Sequence, residues 1–392
     1  MWKKFQKSKI QYLDYWLLIP YIVLCAFGAL MVYSASSDLM SIRGMQPDAY
    51  FTKQLVFIVL GFVLMMFTYF LKLTVLRNRF ILFGATFIIF LGLLFLLGFG
   101  RTINGAAAWI PIGPLSIQPS EFAKLLIVLY LANMLAHKEN DLTEGMVDNL
   151  KLFFKPVLLV AGIIFLVLIQ PDLGGASILA AVMIVMFFGT GMSYWYGFSA
   201  ITLVTGAVTL LSNVLRHVRI STKVTSYKLN RILAFLHPFK LENMGGSQLV
   251  NSYYAINNGR WFGLGLGNSI QKRGYLPEPY TDFILSITTE ELGVIGTLVI
   301  LGLLFVLLAR IFYLGIHTDK MYYTLLCYGI GTIIFVQTLF NVGGLLGILP
   351  ITGVTLPFIS YGGSSMLVLA IALGIVLNIS AQEKKAKTAT TS

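Results

Sequence analysis

The chain has 392 residues, 57% hydrophobic and only 11% charged, with a mean hydropathy of +0.82 and a formal net charge of +12. A soluble domain carries about 25% charged residues, so most of this chain belongs in lipid, where only helices and closed barrels satisfy their backbone. The apolar runs are continuous, not alternating, which excludes a barrel, and the cation excess reads as topology and anionic-lipid signals, not nucleic-acid binding.

Lys3, Lys4, Lys7 and Lys9 precede an apolar run at 16–35. That run exceeds the usual signal-peptide core of about 7–15 residues, so an uncleaved first helix is expected. Further runs lie at 54–71, 80–99, 118–136, 156–170, 174–189, 194–215, 283–309, 321–346 and 364–381. At about 20 residues per crossing, the expectation is an all-α polytopic membrane protein with about ten transmembrane helices. The fifth and sixth are short and joined by a tight turn through Pro171, Asp172, Gly174 and Gly175. Lys and Arg gather in alternate short loops and at both termini, which places both termini in the cytoplasm. One large extracellular loop, about 216–282, then separates helices 7 and 8. A polar tail, about 383–392, is expected to be disordered. The whole of 1–392 reads as one membrane domain.

Cys25 and Cys327 both sit in apolar runs, so no disulfide framework is expected. The four histidines lie far apart and form no metal-ligand spacing. The long loop, with Arg216 at its edge, carries nine cations against Glu242, Glu278 and Asp282. Two readings stand: solubility with lipid contact, or a site for an anionic group such as a pyrophosphate. Gly259, Gly263, Gly265 and Gly267 make part of it glycine-rich. No strand precedes that stretch, so a phosphate cradle is weakly supported, and a re-entrant or surface turn stands beside it.

Carboxylates are scarce enough to sort. Glu121 and Lys124 lie three residues apart and share a helix face; an intramembrane pair is either functional or a structural tie between helices. Asp282 opens the eighth helix. It can cap that helix through the dipole, or act as a general base toward a sugar hydroxyl. Of Glu290 and Glu291, one is expected to face the bundle interior and pair with Lys124, or to make a purely structural contact. Pro350, Gly353, Pro357, Gly362 and Gly363 interrupt the last apolar stretch. Broken backbone at that depth either lines a cavity or is buried in protein.

Four motifs carry a resemblance. Gln118-Pro119-Ser120-Glu121-Phe122-Ala123-Lys124, Pro277-Glu278-x-x-Thr281-Asp282-Phe283, Glu290-Glu291-Leu292-Gly293 and Leu356-Pro357-Phe358-Ile359-Ser360-Tyr361-Gly362-Gly363-Ser364-Ser365 occur in that order. Together they resemble the SEDS family (shape, elongation, division and sporulation) over nearly the whole chain. Residues 267–272 and 353–357 are more similar to its division-type members than to its elongation-type members. The resemblance implies a ten-helix peptidoglycan glycosyltransferase of the bacterial cytoplasmic membrane. Such an enzyme polymerises lipid II at the outer face, here in septal wall synthesis, beside a class B penicillin-binding protein and other division proteins.

Carried over by motif, Asp282 would be the essential acid, acting as base on the acceptor hydroxyl. Glu121, Lys124 and Glu291 match the family's other polar positions, and Ser360 and Ser364 of the last motif join them as substrate-binding candidates. Lys272, Arg273 and Arg231 are candidates to stabilise a departing undecaprenyl pyrophosphate, with a divalent cation such as magnesium or manganese and no organic cofactor. Two departures count. Ala108 stands where the family often has Arg, which removes one candidate phosphate contact. Tyr280 stands where a His commonly precedes Thr-Asp-Phe, which argues against an indispensable histidine. A transporter that flips lipid II or another lipid-linked sugar, and a membrane scaffold without chemistry, remain the rival readings.

Overall fold

The computed structural model describes residues 9–99, 101–103, 106–112, 115–141, 148, 151–191, 202, 233–241 and 245–391. In chain order these form α1 (Tyr15–Ile42), α2 (Ala49–Phe70), the single turn α3 (Leu73–Leu76), α4 (Arg79–Phe99), β1 (Arg101–Ile103), β2 (Ala106–Ile112), β3 (Leu115–Ile117), α5 (Pro119–His137), α6 (Phe154–Ile169), α7 (Leu173–Phe188), α8 (Ser247–Gly259), α9 (Ile284–Ile316), α10 (Met321–Leu345) and α11 (Gly363–Thr391). Seven of these helices are long and apolar enough to cross a membrane, and α6 and α7 are shorter apolar helices. Nine of the ten apolar runs thus coincide with helices. Of the run at 194–215 only residue 202 is described, and the candidate Arg231 lies outside the described residues.

Local chemistry sets the helix starts. Asp14 at the N-cap of α1 accepts from Trp16 N at 3.3 Å, and Asp172 at the N-cap of α7 accepts from Gly175 N at 2.7 Å. Pro119 opens α5, where a missing N–H costs nothing. In α11, 89% of its most apolar window is buried, against 22% in α4. α11 is therefore the axis of the bundle, packed along α2 and against α5, while α4 turns most of its apolar surface to lipid.

Three features depart from the sequence reading. Residues 101–117, which fall between two apolar runs and carry no predicted element, include a three-stranded antiparallel sheet in the order β1-β2-β3. The polar tail, expected to be disordered, is helical over its described residues, since α11 runs on to Thr391. Its added turns are tied down where Tyr323 Oη donates to Gln382 at 2.7 Å and Thr318 Oγ1 donates to Glu383 at 2.8 Å. Helix α9 is broken at Gly293, which has φ 73° and ψ 179°.

That break is filled by the glycine-rich stretch. Leu264 N and Gly265 N donate to the carbonyls of Glu290 and Glu291, each at 2.9 Å. Val294 N and Ile295 N donate to the carbonyls of Arg260 and Trp261 at 2.9 and 3.2 Å. Backbone groups freed by the kink are thereby paired inside protein, as a low-dielectric setting requires. A Cβ on Gly263 would lie 2.1 Å from the Glu291 carbonyl oxygen, and one on Gly293 2.3 Å from that of Trp261. Both residues also have left-handed φ. These glycines serve a backbone-to-backbone splice with α9, which is the re-entrant turn reading and not the phosphate cradle.

Candidate active site

A cavity of about 400 Å³ opens at the end of the bundle where α5, α7, α9 and α11 begin. Among the described residues its ionic groups are Lys53, Glu121, Lys124, Asp172, Glu278 and Asp282, and its aromatic wall includes Tyr50, Trp109, Tyr280 and Tyr361. The first and last sequence motifs, far apart in the chain, meet on its walls.

Asp282 is half-buried on this wall, with a carboxylate oxygen 3.5 Å from where a Cβ of Gly353 would stand. The helix that follows it starts at Ile284, with Phe283 at the N-cap position. The segment before that helix is clamped by the interrupted C-terminal stretch. Asn341 Nδ2 donates to the carbonyls of both Asp282 and Val354 at 2.9 Å. Ser360 Oγ donates to the Thr281 carbonyl at 2.7 Å and accepts from Leu356 N at 2.9 Å. Tyr361 N donates to the Tyr280 carbonyl at 2.9 Å. Broken backbone at 350–362 thus both lines the cavity and supplies the bonds that hold Asp282 there.

Glu121 and Lys124 form an ion pair at 2.7 Å on the same wall, with Lys124 only 2% exposed. The expected partner from Glu290 or Glu291 is not used. Glu291 instead accepts from Lys272 Nζ at 3.0 Å and from Ser34 Oγ at 2.7 Å. Glu290 accepts from Asn258 Nδ2 at 3.0 Å, from Gln271 N at 3.2 Å and from Ser269 Oγ. Both carboxylates are fully buried, and neither lines the cavity. Their work is to fasten the 268–273 segment between α1 and the first turns of α9.

Lys272, 2% exposed, is consumed by that buried pair, and Arg273 is exposed at 3.7 Å from Asp38. Neither borders the cavity. Ser360 is a clamp residue rather than a wall residue. Ser364 accepts from Gln118 N at 3.1 Å and so ties the start of α5 to α11. Among the described residues, the cations that reach the cavity are Lys124 and Lys53.

Sequence reasoning missed Lys53, Tyr50 and Asn341 as site residues, and gave Asp172 no role. Asn341 was legible as one of two amides, with Gln337, in an apolar helix, a placement that is costly without a purpose. Asp172 holds Gln118 and Ser120 at 3.1 Å as well as its own helix start, so it joins the floor of the cavity to the Glu121 motif. Tyr50 stacks on Tyr280 with centroids 4.3 Å apart, and Tyr361 meets Tyr50 edge-on at 4.8 Å. Burial, the Tyr50 hydroxyl and the nearby Glu278 charge push the Tyr280 phenol far above its ordinary range, and burial pushes Tyr361 up to about 12. Both stay protonated at any working pH.

Among the described residues, no three His, Cys, Asp or Glu side chains gather as an ion cage. A magnesium-type ion needs only one or two carboxylates when substrate phosphates complete its shell. Glu278, half-buried on the same wall as Asp282, suits that sharing.

Comparison with known proteins adds to this geometry. Residues 15–385 match a family model described as cell cycle protein, of the FtsW, RodA and SpoVE group. A probable peptidoglycan glycosyltransferase FtsW of Lactococcus lactis subsp. lactis is 40% identical, covering 96% of this chain and 94% of that protein. A protein of the same description from Bacillus subtilis is 38% identical, over 95% and 92%. Among solved structures, a chain from a peptidoglycan synthase complex that coordinates polymerization and crosslinking superposes with a TM-score of 0.72 at 28% identity, covering 94% and 98% of the two chains. The rod shape determining protein RodA of Thermus thermophilus gives 0.66 at 28%, over 94% and 96%.

Proposed function

This chain belongs to the FtsW/RodA/SpoVE family of cell cycle proteins and is a peptidoglycan glycosyltransferase of a bacterial membrane, and we propose that it polymerises lipid II with Asp282 as general base. The observation that carries this reading is the Asp282 carboxylate on the wall of a cavity that also holds Lys124 and Glu121. The cavity lies at the bundle end taken as the outer face of the cytoplasmic membrane, with both termini inside.

In this reading one muropeptide presents its sugar hydroxyl to Asp282. The carboxylate takes the proton as that oxygen attacks the anomeric carbon of a second, and the bond to undecaprenyl pyrophosphate breaks with inversion. A base within hydrogen-bond reach contributes about 10²–10⁴-fold. Lys124 and Lys53 face the charge that grows on the leaving pyrophosphate, a role for which Lys272 and Arg273 are badly placed. Glu121 holds Lys124 at its post. A divalent cation, when bound, would neutralise the same pyrophosphate charge, and Glu278 is the side chain available to share it. The polyprenyl tails run down apolar surface between helices.

The synthase-complex neighbour supports a class B penicillin-binding protein as partner, and the FtsW relatives support a septal site of action. The test is glycan synthesis from lipid II by purified full-length protein together with that partner. Wild type should make polymer, and Asp282→Asn should lose about 10²-fold or more in rate. Polymerisation by Asp282→Asn at the wild-type rate would remove the base assignment. No polymer from wild type, with lipid II scrambled across vesicles instead, would favour transport.

A further inference from the structure

The splice at Gly293 leaves a conspicuous surface. Trp261, Phe262, Leu264, Leu266 and Ile270 fall within ten residues, and all are exposed, Trp261 at 65% and Phe262 at 82%. A patch of this kind on the water side would be costly, so its depth decides its meaning.

Two independent gauges give that depth. Below the break, residues 294–316 of α9 run for about 35 Å at the usual helical rise. The returning helix α10 has 25 residues, about 37 Å on the same measure. Each is enough to cross a hydrocarbon core of about 30 Å. The upper end of the first is Gly293, where the 260–265 backbone is hydrogen-bonded. The upper end of the second is Leu345, whose carbonyl accepts from Ser252 Oγ of α8 at 3.1 Å. Helix α8 is therefore strung between two span ends that lie at one level, and the loop leaving its C-terminus starts at that level.

Charge agrees with depth. Between 259 and 273 the chain carries Arg260, Lys272 and Arg273 and no carboxylate. Lys272 is spent on Glu291 and Arg273 lies 3.7 Å from Asp38, which leaves Arg260 exposed next to the apolar tip. Trp with flanking Arg is the pairing that settles where hydrocarbon meets headgroups.

We propose that loop 259–270 is an interfacial anchor. Trp261, Phe262, Leu264 and Leu266 enter the leaflet on the cavity side of the membrane, and Arg260 meets anionic headgroups. Because the same loop is bonded into α9 two turns beyond Asp282, the anchor fixes the height of the cavity relative to the lipid surface. The proposal stands apart from the assignment of Asp282 as base.

The experiment uses full-length protein in nanodiscs. Tryptophan emission is compared between wild type and Trp261→Phe in lipids brominated high on the acyl chain. The component lost in Trp261→Phe should be the strongly quenched one. A nitroxide on Phe262→Cys, in a chain whose Cys25 and Cys327 are buried, should be relaxed more by oxygen than by a water-soluble nickel chelate. Quenching by brominated phosphatidylglycerol should exceed that by brominated phosphatidylcholine by about fivefold, the scale of one cation at an anionic surface, and Arg260→Gln should level the two. An unquenched Trp261 component with a label open to nickel would place the loop in water and overturn the anchor. Equal quenching by the two lipids in wild type would overturn the headgroup contact.

Discussion

Asp282 was the residue most open to two readings in the sequence, as cap or as base, and its neighbours explain why. Nothing near it in the chain shows that Asn341, Ser360 and Tyr361 would come to grip residues 280–282. The motifs made Glu121, Lys124 and Asp282 legible as candidates. Partner choice was not legible, because it depends on where the loop carrying Lys272 lands, and that loop lands on Glu291 and Ser34 instead of in the cavity. Asn341 offers the sharper test of the clamp. Both of its donors are used on carbonyls of two different segments, so Asn341→Leu leaves two buried acceptors unpaired, at about 1–3 kcal/mol each. If the clamp positions the base, turnover should fall by about 100-fold with KM for lipid II little changed, while the slope of rate against pH stays that of wild type. A fall in KM-governed rates alone would mark Asn341 as a substrate contact, and unchanged kinetics in a less stable protein would mark it as structural only.

At the scale of elements, long apolar runs announced their helices because twenty consecutive apolar residues have few other fates. The splice between 259–265 and α9 left weaker traces. Glycines 259, 263 and 293 were visible, but their common purpose is a contact between backbones thirty residues apart, which composition cannot show. The short sheet at 101–117 and helix α8 escaped for a related reason: each is stabilised by what it packs on more than by its own pattern. The two glycine classes of α9 give a paired prediction. Gly293→Ala places a Cβ in left-handed backbone, costing about 1–2 kcal/mol, and also drives it into the Trp261 carbonyl. Gly302→Ala, in the same helix, meets nothing within 4 Å and should gain about 1 kcal/mol in helix propensity. Melting midpoints of the detergent-solubilised proteins should therefore move in opposite directions. A Gly293→Ala protein that melts with or above wild type would mean that α9 can run straight, and the splice would be incidental.

Across the whole molecule, the end opposite the cavity is closed by a second network, built on Asp14. Its carboxylate is buried and accepts from Arg310 Nη2 at 2.7 Å and Nε at 3.0 Å, from Ser380 Oγ at 2.6 Å, with Lys384 Nζ 3.7 Å away. Helices α1, α9 and α11 are thus pinned together at one end, and at the other they carry Ser34, the Glu290–Glu291 pair and the cavity loop. Pinning the far ends sets the axial register with which Asp282 meets Gly353. Burial alone would raise the Asp14 carboxyl. The hydrogen bonds from Arg310 and Ser380 and the charges of Arg310 and Lys384 outweigh it and hold the group below the usual carboxylate range. A depressed carboxyl stabilises the fold above its unfolded value of about 3.9, and that contribution disappears as pH falls through the lower folded value. Asp14→Asn, which keeps the shape and removes the charge, should lose about 1.5–3 kcal/mol at neutral pH. The gap in melting midpoint between it and wild type should hold steady from about pH 5 to 8 and close at more acid values, as the wild-type carboxyl takes up its proton. Glycan synthesis at low temperature should survive the substitution, since the cavity is at the other end, while thermal inactivation should come earlier. A midpoint gap that persists undiminished into strong acid would show that Asp14 holds the three helices by shape and neutral hydrogen bonds, without its charge.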